Sequence, residues 1–476
     1  MDRLALGVSP ALSVSERGGA SPMAVLRQGE LANDGLTPEE PGGLRHPAQK
    51  SQKAKAAIAM NTDEFKRREV SRRQFLGRSA QQAAGVAVGV VGLAAGVASG
   101  SVGRGSSPNE RVGVGIIGVR NQGRLLAGEL AKLADVEVRS LCDVDESQFG
   151  PAVQAVVEAR QSSLSKLPNT ERDFRRLLDD PALDAVVIAT PDHWHVPMTL
   201  LALQAGKDVY LESPATHSIE EGAVLIEAAR GGSRVVQVGL QQRSGSHFQS
   251  AIQFVRSGKL GTVRMAKAWI VHRRKSIGRR PESEAPAQVD YPSWLGPAPA
   301  RDFQPNHFHF NWRWFWDYGG GELAHWGVHM LDVARWGLSV ETPLRVSAVG
   351  GKYSFDDDAE TPDALSVQYD FGAKSILWEH RLWSSHSPEG RSSGVAFHGD
   401  NGTLVVDRGG WKVYDHKETV TADASDLQAA HLQNFIDSVR SREAPATGIE
   451  VGVAASNLCH WGNAAYRLGR ELVVSG

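Results

Sequence analysis

The sequence predicts an α/β protein in which a doubly wound parallel sheet comes first and an α/β domain with a large, mostly antiparallel open sheet follows. Three observations carry this reading. Up to about residue 240, β-branched runs bounded by glycine alternate with helical stretches, the rhythm of parallel strands joined by right-handed crossovers. From Met265 onward the apolar runs are separated by turn-like segments with few helical stretches between them, which suits antiparallel strands exposed on one face. The chain has 476 residues, 41% hydrophobic and 22% charged, enough for two or three domains that each bury a core.

Residues 1–59 are rich in Gly, Pro, Ala and Ser without apolar periodicity, the composition of a disordered tail. Next comes Ser71-Arg72-Arg73-Gln74-Phe75-Leu76-Gly77, then an uncharged Ala/Gly/Val run from Ala83 to Ala98 and Ser99-Gly100-Ser101. Paired arginines before a weakly apolar run and small residues are the pattern of a twin-arginine export signal. Such a signal lies near a start codon, so translation is expected to begin at Met60, with 1–59 an upstream extension or a tail. The expected organisation is 1–59 extension, 60–110 signal and linker, 111–240 nucleotide-binding domain and 241–476 substrate domain. The expected location is periplasmic or otherwise extracytoplasmic, signal-anchored if the signal is retained, with the twin-arginine translocase as export partner. Two cysteines, Cys142 and Cys459, give no disulfide framework.

After the polar linker, Val112 to Ile117 reads as a buried strand and Gly123 to Leu133 as a helix. Further strands are expected at Val136 to Asp143, Ala185 to Thr190, Asp208 to Leu211 and Val235 to Val238. Helices are expected at Pro197 to Ala205 and Ile219 to Arg230. The second sheet is expected to use Met265 to Val271, Leu344 to Val349, Leu365 to Tyr369, Ser375 to His380 and Leu404 to Val406. Between its first two strands, Arg273 to Asn311 is Pro-rich and aromatic, a long loop that is either functional or a surface excursion. Its Arg273-Arg274-Lys275 and Arg279-Arg280 clusters could meet an anionic ligand, with a solvated loop face the competing and preferred reading.

Gly118-Val119-Arg120-Asn121-Gln122-Gly123 lies between the first strand and first helix, where backbone amides and a helix N-terminus can hold a pyrophosphate. Arg120 occupies the place of the middle glycine of a dinucleotide fingerprint, so the loop adjusts or its guanidinium meets the phosphate. Asp143 stands twenty positions beyond Gly123, placed to accept the adenosine ribose hydroxyls, which favours NAD over NADP. The competing reading is a plain parallel sheet whose glycines serve only the turn.

Over residues 111–470 the chain resembles the glucose-fructose oxidoreductase / inositol dehydrogenase / MocA-like (Gfo/Idh/MocA) family. The matching segments include Ala189-Thr190-Pro191-Asp192-His193-Trp194-His195, Ala205 to Glu212, Arg256-Ser257-Gly258-Lys259-Leu260-Gly261, Trp294-Leu295-Gly296-Pro297 and Trp316 to Trp336. The resemblance implies a Rossmann domain followed by an α/β domain whose open sheet carries a sugar or polyol, and assembly into a homo-oligomer. It places Thr190, Pro191, His193, His195 and Glu212 at the cofactor. The family's lysine of Glu-Lys-Pro and its Asp-x-x-x-His pair fall on Ser213, His325 and His329, so one of three identities survives.

Removing a carbinol proton needs a group whose pKa lies near working pH. His329, with an ordinary value of ~6.5, is expected to take that role first and His325 second, with Ser213 donating a hydrogen bond to substrate. His325 and His329 share a helical face with Glu322 and Asp332, a set able to take a divalent metal, although the resemblance already accounts for His329 and Asp332 without one. Asp332, Tyr210 and Trp316 are taken as substrate contacts, with core packing the competing reading for Tyr210, Trp314 and Trp316. For His193 it is helix capping with Asp192.

Lys+Arg of 52 against Asp+Glu of 54 supply no field for nucleic acid or an anionic membrane. Three functions remain: an exported NAD-dependent oxidoreductase acting on CH–OH groups of a sugar, sugar derivative or polyol; a redox-neutral NAD-dependent glycoside hydrolase or lyase; and a sugar-binding protein without catalysis.

Overall fold

The computed structural model describes residues 111–160, 166–417 and 420–474. The export-signal pattern and everything before it lie outside the described residues.

The first strand, β1 (Val112–Ile117), is buried along its whole length, as expected of the centre of a sheet covered on both faces. It leads through the glycine loop into α1 (Asn121–Lys132) and β2 (Val136–Cys142). The chain continues through α2 (Phe149–Ala159), β3 (Asn169–Glu171), α3 (Phe174–Leu178), β4 (Ala185–Ile188), α4 (His195–Gln204), β5 (Asp208–Leu211), α5 (Glu220–Arg230) and β6 (Val236–Val238). These six strands form one parallel sheet in the order β3-β2-β1-β4-β5-β6. The order reverses between β1 and β4, so a crevice opens above their carboxyl ends.

After α6 (Ser246–Arg256) and β7 (Met265–Val271) comes the aromatic loop with the short helix α7 (Tyr291–Leu295). A π-helical turn at Leu323–Gly327 runs directly into α8 (Val328–Leu338). Strands β8 (Arg345–Gly351), β9 (Ala364–Asp370), β10 (Ser375–Arg381), β11 (Ser393–Gly399), β12 (Gly402–Asp407), β13 (Gly410–Tyr414) and β14 (Thr421–Asp423) follow. The chain ends with α9 (Leu427–Ser441), α10 (Ile449–Leu468) and β15 (Leu472–Val473). The second sheet has nine strands in the order β14-β13-β12-β11-β7-β10-β9-β8-β15, antiparallel except for the β7/β10 pair. Burial alternates along β9, one face turned to the core and the other outward.

The helix α9, placed by sequence in the second domain, packs against the first sheet. Its Leu432, Phe435, Ile436 and Val439 share a core with β1, β2 and Tyr210. Arg442 clamps the Asp208 carboxylate with two bonds of 2.8 Å, and Gln237 donates to the His431 carbonyl at 2.8 Å. Helix α10 holds the chain just after Ser213: Ser456 Oγ accepts from the Ala215 amide at 2.9 Å, and Thr216 pairs with His460 at 2.9 Å. One core thus joins the β5/β6 end of the first sheet to the second.

The aromatic loop is not a surface excursion. Tyr291, Trp294, Phe303, Phe308, Phe315 and Tyr318 are buried in a core of their own, and Gly296 allows the loop to close on Trp194. At φ +50° a Cβ at that position would lie 1.9 Å from the indole.

Candidate active site

A cleft of about 980 Å³ lies at the carboxyl ends of the first sheet's strands, roofed by the aromatic loop and walled by the π turn, α8 and the β12/β13 hairpin. Its floor begins at the glycine loop. Gly118 has φ +82°, and a Cβ on Gly123 would lie 1.8 Å from the Gly118 carbonyl oxygen. Gly123 itself does not line the cleft; it lets α1 start against the loop. No side chain caps the N-terminus of α1; the Gly123 amide turns back to the Arg120 carbonyl at 3.0 Å, and the positive end of the helix dipole is left to a ligand.

Asp143 accepts the Val119 amide at 2.9 Å and the Asp145 amide at 3.0 Å. Burial raises its carboxyl to about 6 against the pull of those two donors. Each oxygen retains a lone pair, so ribose hydroxyls would add further donors and favour the charged form. Burial lowers the Arg120 guanidinium, while Asp143 and Asp145 oppose that shift. Thr190 and Gln241 each bring an oxygen into the lining that is buried without a hydrogen-bond partner. Uncapped helix, glycine cradle, strand-end acid and orphan acceptors fit a dinucleotide: Arg120, Asn121 and Gln122 at the phosphates, Asp143 at a ribose.

His195 lines the cleft through a ring fixed at both nitrogens, Nδ1 to the Pro214 carbonyl at 2.7 Å and Nε2 to the Thr190 carbonyl at 3.0 Å. Burial lowers its pKa against both carbonyls, and a neutral ring can donate to only one. It holds the walls together.

Ser213 and His329 meet in the cleft, Ser213 Oγ lying 3.4 Å from His329 Nε2, a long contact. The other nitrogen, His329 Nδ1, is buried without a partner. Burial, then the positive charge of Arg408, lowers His329 to about 3, so the ordinary imidazole value assumed from sequence does not hold here. His325 sits on the π turn and contacts the buried Arg313 guanidinium. Burial and then that cation push its pKa well down. Glu212 is the group beside the dyad that titrates near neutrality. It accepts Gln122 Nε2 at 2.9 Å and the Ser213 amide at 3.2 Å, and burial raises it to about 7.

Besides Gly123, four expected site residues, Asp332, Tyr210, Trp316 and His193, lie outside the cleft lining. Asp332 is buried in a two-bond pair with Arg243 at 2.7 and 2.8 Å, so it fastens α8 instead of meeting substrate. Tyr210 is fully buried, its ring against Phe435 and its hydroxyl accepting Gln241 at 3.3 Å. Trp316 lies under Arg467, 4.9 Å from its guanidinium carbon, and Trp314 under Arg274. His193 bonds the Trp294 carbonyl at 3.1 Å beneath the roof. Glu322 does not join the histidines either, because it binds Arg274 at 2.8 Å and His272 at 3.2 Å.

Sequence reading missed Arg313 and Arg408, both of which line the cleft. A charge inside the aromatic stretch His309 to Tyr318 was a usable signal for Arg313. Arg408, in the Asp407-Arg408-Gly409-Gly410 turn, carried none.

Residues 112–240 match the oxidoreductase-family model for the NAD-binding Rossmann fold, and residues 269–475 the same family's C-terminal alpha/beta domain. A glycosyl hydrolase family 109 protein of Saccharopolyspora erythraea is 30% identical over 226 residues, covering 45% of this chain and 48% of the relative. An alpha-N-acetylgalactosaminidase of Shewanella oneidensis is 26% identical over 163 residues, 34% of this chain and 36% of the relative. The chain thus spans half or less of the length of these curated relatives. Among solved structures, the aldose-aldose oxidoreductase of Caulobacter crescentus complexed with glycerol shares the fold with TM-score 0.59 at 19% identity, covering 77% of this chain and 100% of that one. The WlbA dehydrogenase of Bordetella pertussis, in complex with NADH and UDP-GlcNAcA, does so with TM-score 0.58 at 17% identity, covering 77% and 100%. With both of its domain models matched in order along one chain, this protein belongs to the Gfo/Idh/MocA oxidoreductase family, and NAD is its cofactor.

Proposed function

We propose that the protein oxidises a CH–OH group of a sugar, sugar derivative or polyol, with Ser213, His329 and Glu212 handling the hydroxyl proton. The observation that carries this is the meeting of Ser213 Oγ and His329 Nε2 in the cleft, with the Glu212 carboxyl bonded to the Ser213 amide. NAD, when bound, supplies the redox chemistry by accepting hydride from the carbinol carbon. The chain's own work is orientation and proton transfer. With its ring proton on Nδ1, neutral His329 accepts through Nε2 while Ser213 Oγ donates, so together they can fix one substrate hydroxyl. Glu212, at about 7, is the neighbour whose basicity suits taking the proton onward near neutral pH.

A second reading, redox-neutral cleavage of a glycoside, is favoured by the same carboxyl. A group poised near 7 can abstract a proton in elimination and return it later, and the curated relatives carry glycosidase names.

Export by the twin-arginine route, on the strength of Ser71 to Gly77 and the Ala83 to Ala98 run, places this chemistry outside the cytoplasm. Assembly into a homo-oligomer through the outward face of the second sheet completes the proposal; Val349 on β8 is 75% exposed there.

The test is to incubate the purified protein with free sugars and aryl glycosides, following reduced nicotinamide and released aglycone. Reduction with free sugars supports the first reading. Aglycone release without net reduction selects the second, and sugar binding with neither product leaves only a binding protein.

A further inference from the structure

We propose that the substrate brings its own carboxylate, received by Arg313 beside the two histidines, so that the ligand is a sugar acid. This rests on the reading of the cleft as a sugar site. Arg313 is 8% exposed and lines the cleft. Its Nε donates to the Phe310 carbonyl at 2.7 Å, and one terminal nitrogen contacts His325 Nε2. The rings of Phe310 and Trp312 lie 4.0 and 5.3 Å from its guanidinium carbon. Among the described residues no carboxylate comes within ion-pair distance, and both of its hydrogen-bond acceptors are neutral.

A guanidinium in such a place is costly unless an anion meets it. The carboxylates near enough to be felt are Glu322 and Asp192. Glu322 is already bonded to Arg274 and His272, and Asp192, raised by burial against the pull of Arg313, forms no ion pair with it among the described residues. Arg313 itself is lowered by burial to about 10 and so stays positive near neutral pH.

Arg408 also lines the cleft, close enough to His329 to lower it and to Glu212 to feel its charge. It lies over Trp326, 4.9 Å from the ring centre, and pairs with no carboxylate among the described residues. The cleft lining thus brings two cations, Arg313 and Arg408, to the neutral rings of His325 and His329, with the Glu212 carboxyl near enough to Arg408 to be felt. The planar guanidinium fork matches a carboxylate with two parallel bonds. Nucleotide phosphates have their own partners in Arg120 and the start of α1.

The experiment is calorimetric titration of the full NAD-loaded chain with matched sets: glucose, glucuronate and methyl glucuronate, then the three galacto counterparts. In at least one set the acid is expected to bind about 10- to 100-fold more tightly than its methyl ester, the range for a charged hydrogen-bonded contact. Arg313→Met should abolish that preference and Arg313→Lys retain part of it. Because losing a buried guanidinium also threatens folding, Arg408→Met on the exposed hairpin gives a second reading, in which the preference shrinks without vanishing. Equal binding of acid and ester overturns the inference while leaving the sugar site standing. Failure of all six ligands to bind overturns both. If Arg313→Lys weakens NAD and not the acid, the arginine serves the nucleotide and the inference falls.

Discussion

In the proposed mechanism the titratable groups are His329 and Glu212, and each is tuned by where the fold puts it. His329→Ala is expected to lower turnover by about 10²- to 10⁴-fold, the usual weight of a positioned acid–base group, while NAD stays bound because the nucleotide residues lie on other elements. A nucleotide release assay beside the rate measurement checks both halves. Arg408→Met removes the cation that, after burial, holds His329 down; the His329 pKa should rise from about 3, visible by NMR titration of the ring. Glu212 gives the complementary sign. Its folded value, about 7, exceeds the ordinary carboxylate value of ~4.3, so its contribution to stability falls as pH rises between those values and is a penalty above them. Glu212→Gln should therefore stabilise the nucleotide-free protein at alkaline pH and lose that advantage below pH ~4. A rate limb near 7 should vanish in the same variant.

Elements decide which of these residues can meet. Asp332 and Arg243 pin α8 with two short bonds in a buried setting; Asp332→Asn should destabilise the fold by about 3 kcal/mol or more, since it strands a buried cation. Denaturant unfolding measures that cost, and an unchanged substrate KM would confirm that Asp332 fastens the helix from outside the cleft. The strands β1, β5 and β7 were legible to the residue because each carries a mostly apolar run rich in β-branched or aromatic residues. By contrast β3, with Asn169-Thr170-Glu171, is a short polar edge strand without such a run. Helical periodicity put Glu322, His325, His329 and Asp332 on one face, but the π turn at Leu323–Gly327 breaks that period. The two carboxylates then satisfy Arg274, in the loop after β7, and Arg243, in the short helical turn Gln241–Ser244, partners that no local pattern reveals.

At the scale of the whole molecule, the least legible feature was the return of α9 to the first sheet, because its partners lie some two hundred residues away in sequence, as in the Gln237 to His431 bond. Phe435 is fully buried in that contact; Phe435→Ala should cost about 3–5 kcal/mol and lower the thermal midpoint of the nucleotide domain and substrate domain together. Burial also holds His307, His309, His431 and His460 at about 4 and His329 at about 3. The unfolded chain takes up protons at each near ~6.5, before the folded one does, so stability is present above that pH and lost as pH falls toward 4. Unfolding midpoints across that window should drop steadily. The arrangement as a whole, with NAD family membership, a Ser213–His329 contact and a carboxyl poised near neutrality, rests its functional claim on net oxidation of a carbinol. The most direct measurement is nicotinamide reduction by the purified protein supplied with NAD and a panel of sugars, sugar acids and polyols. Reduced nicotinamide accumulating in step with a carbonyl product, and lost in His329→Ala, is the predicted result; aglycone release from glycosides with no net reduction on any of these compounds would contradict it.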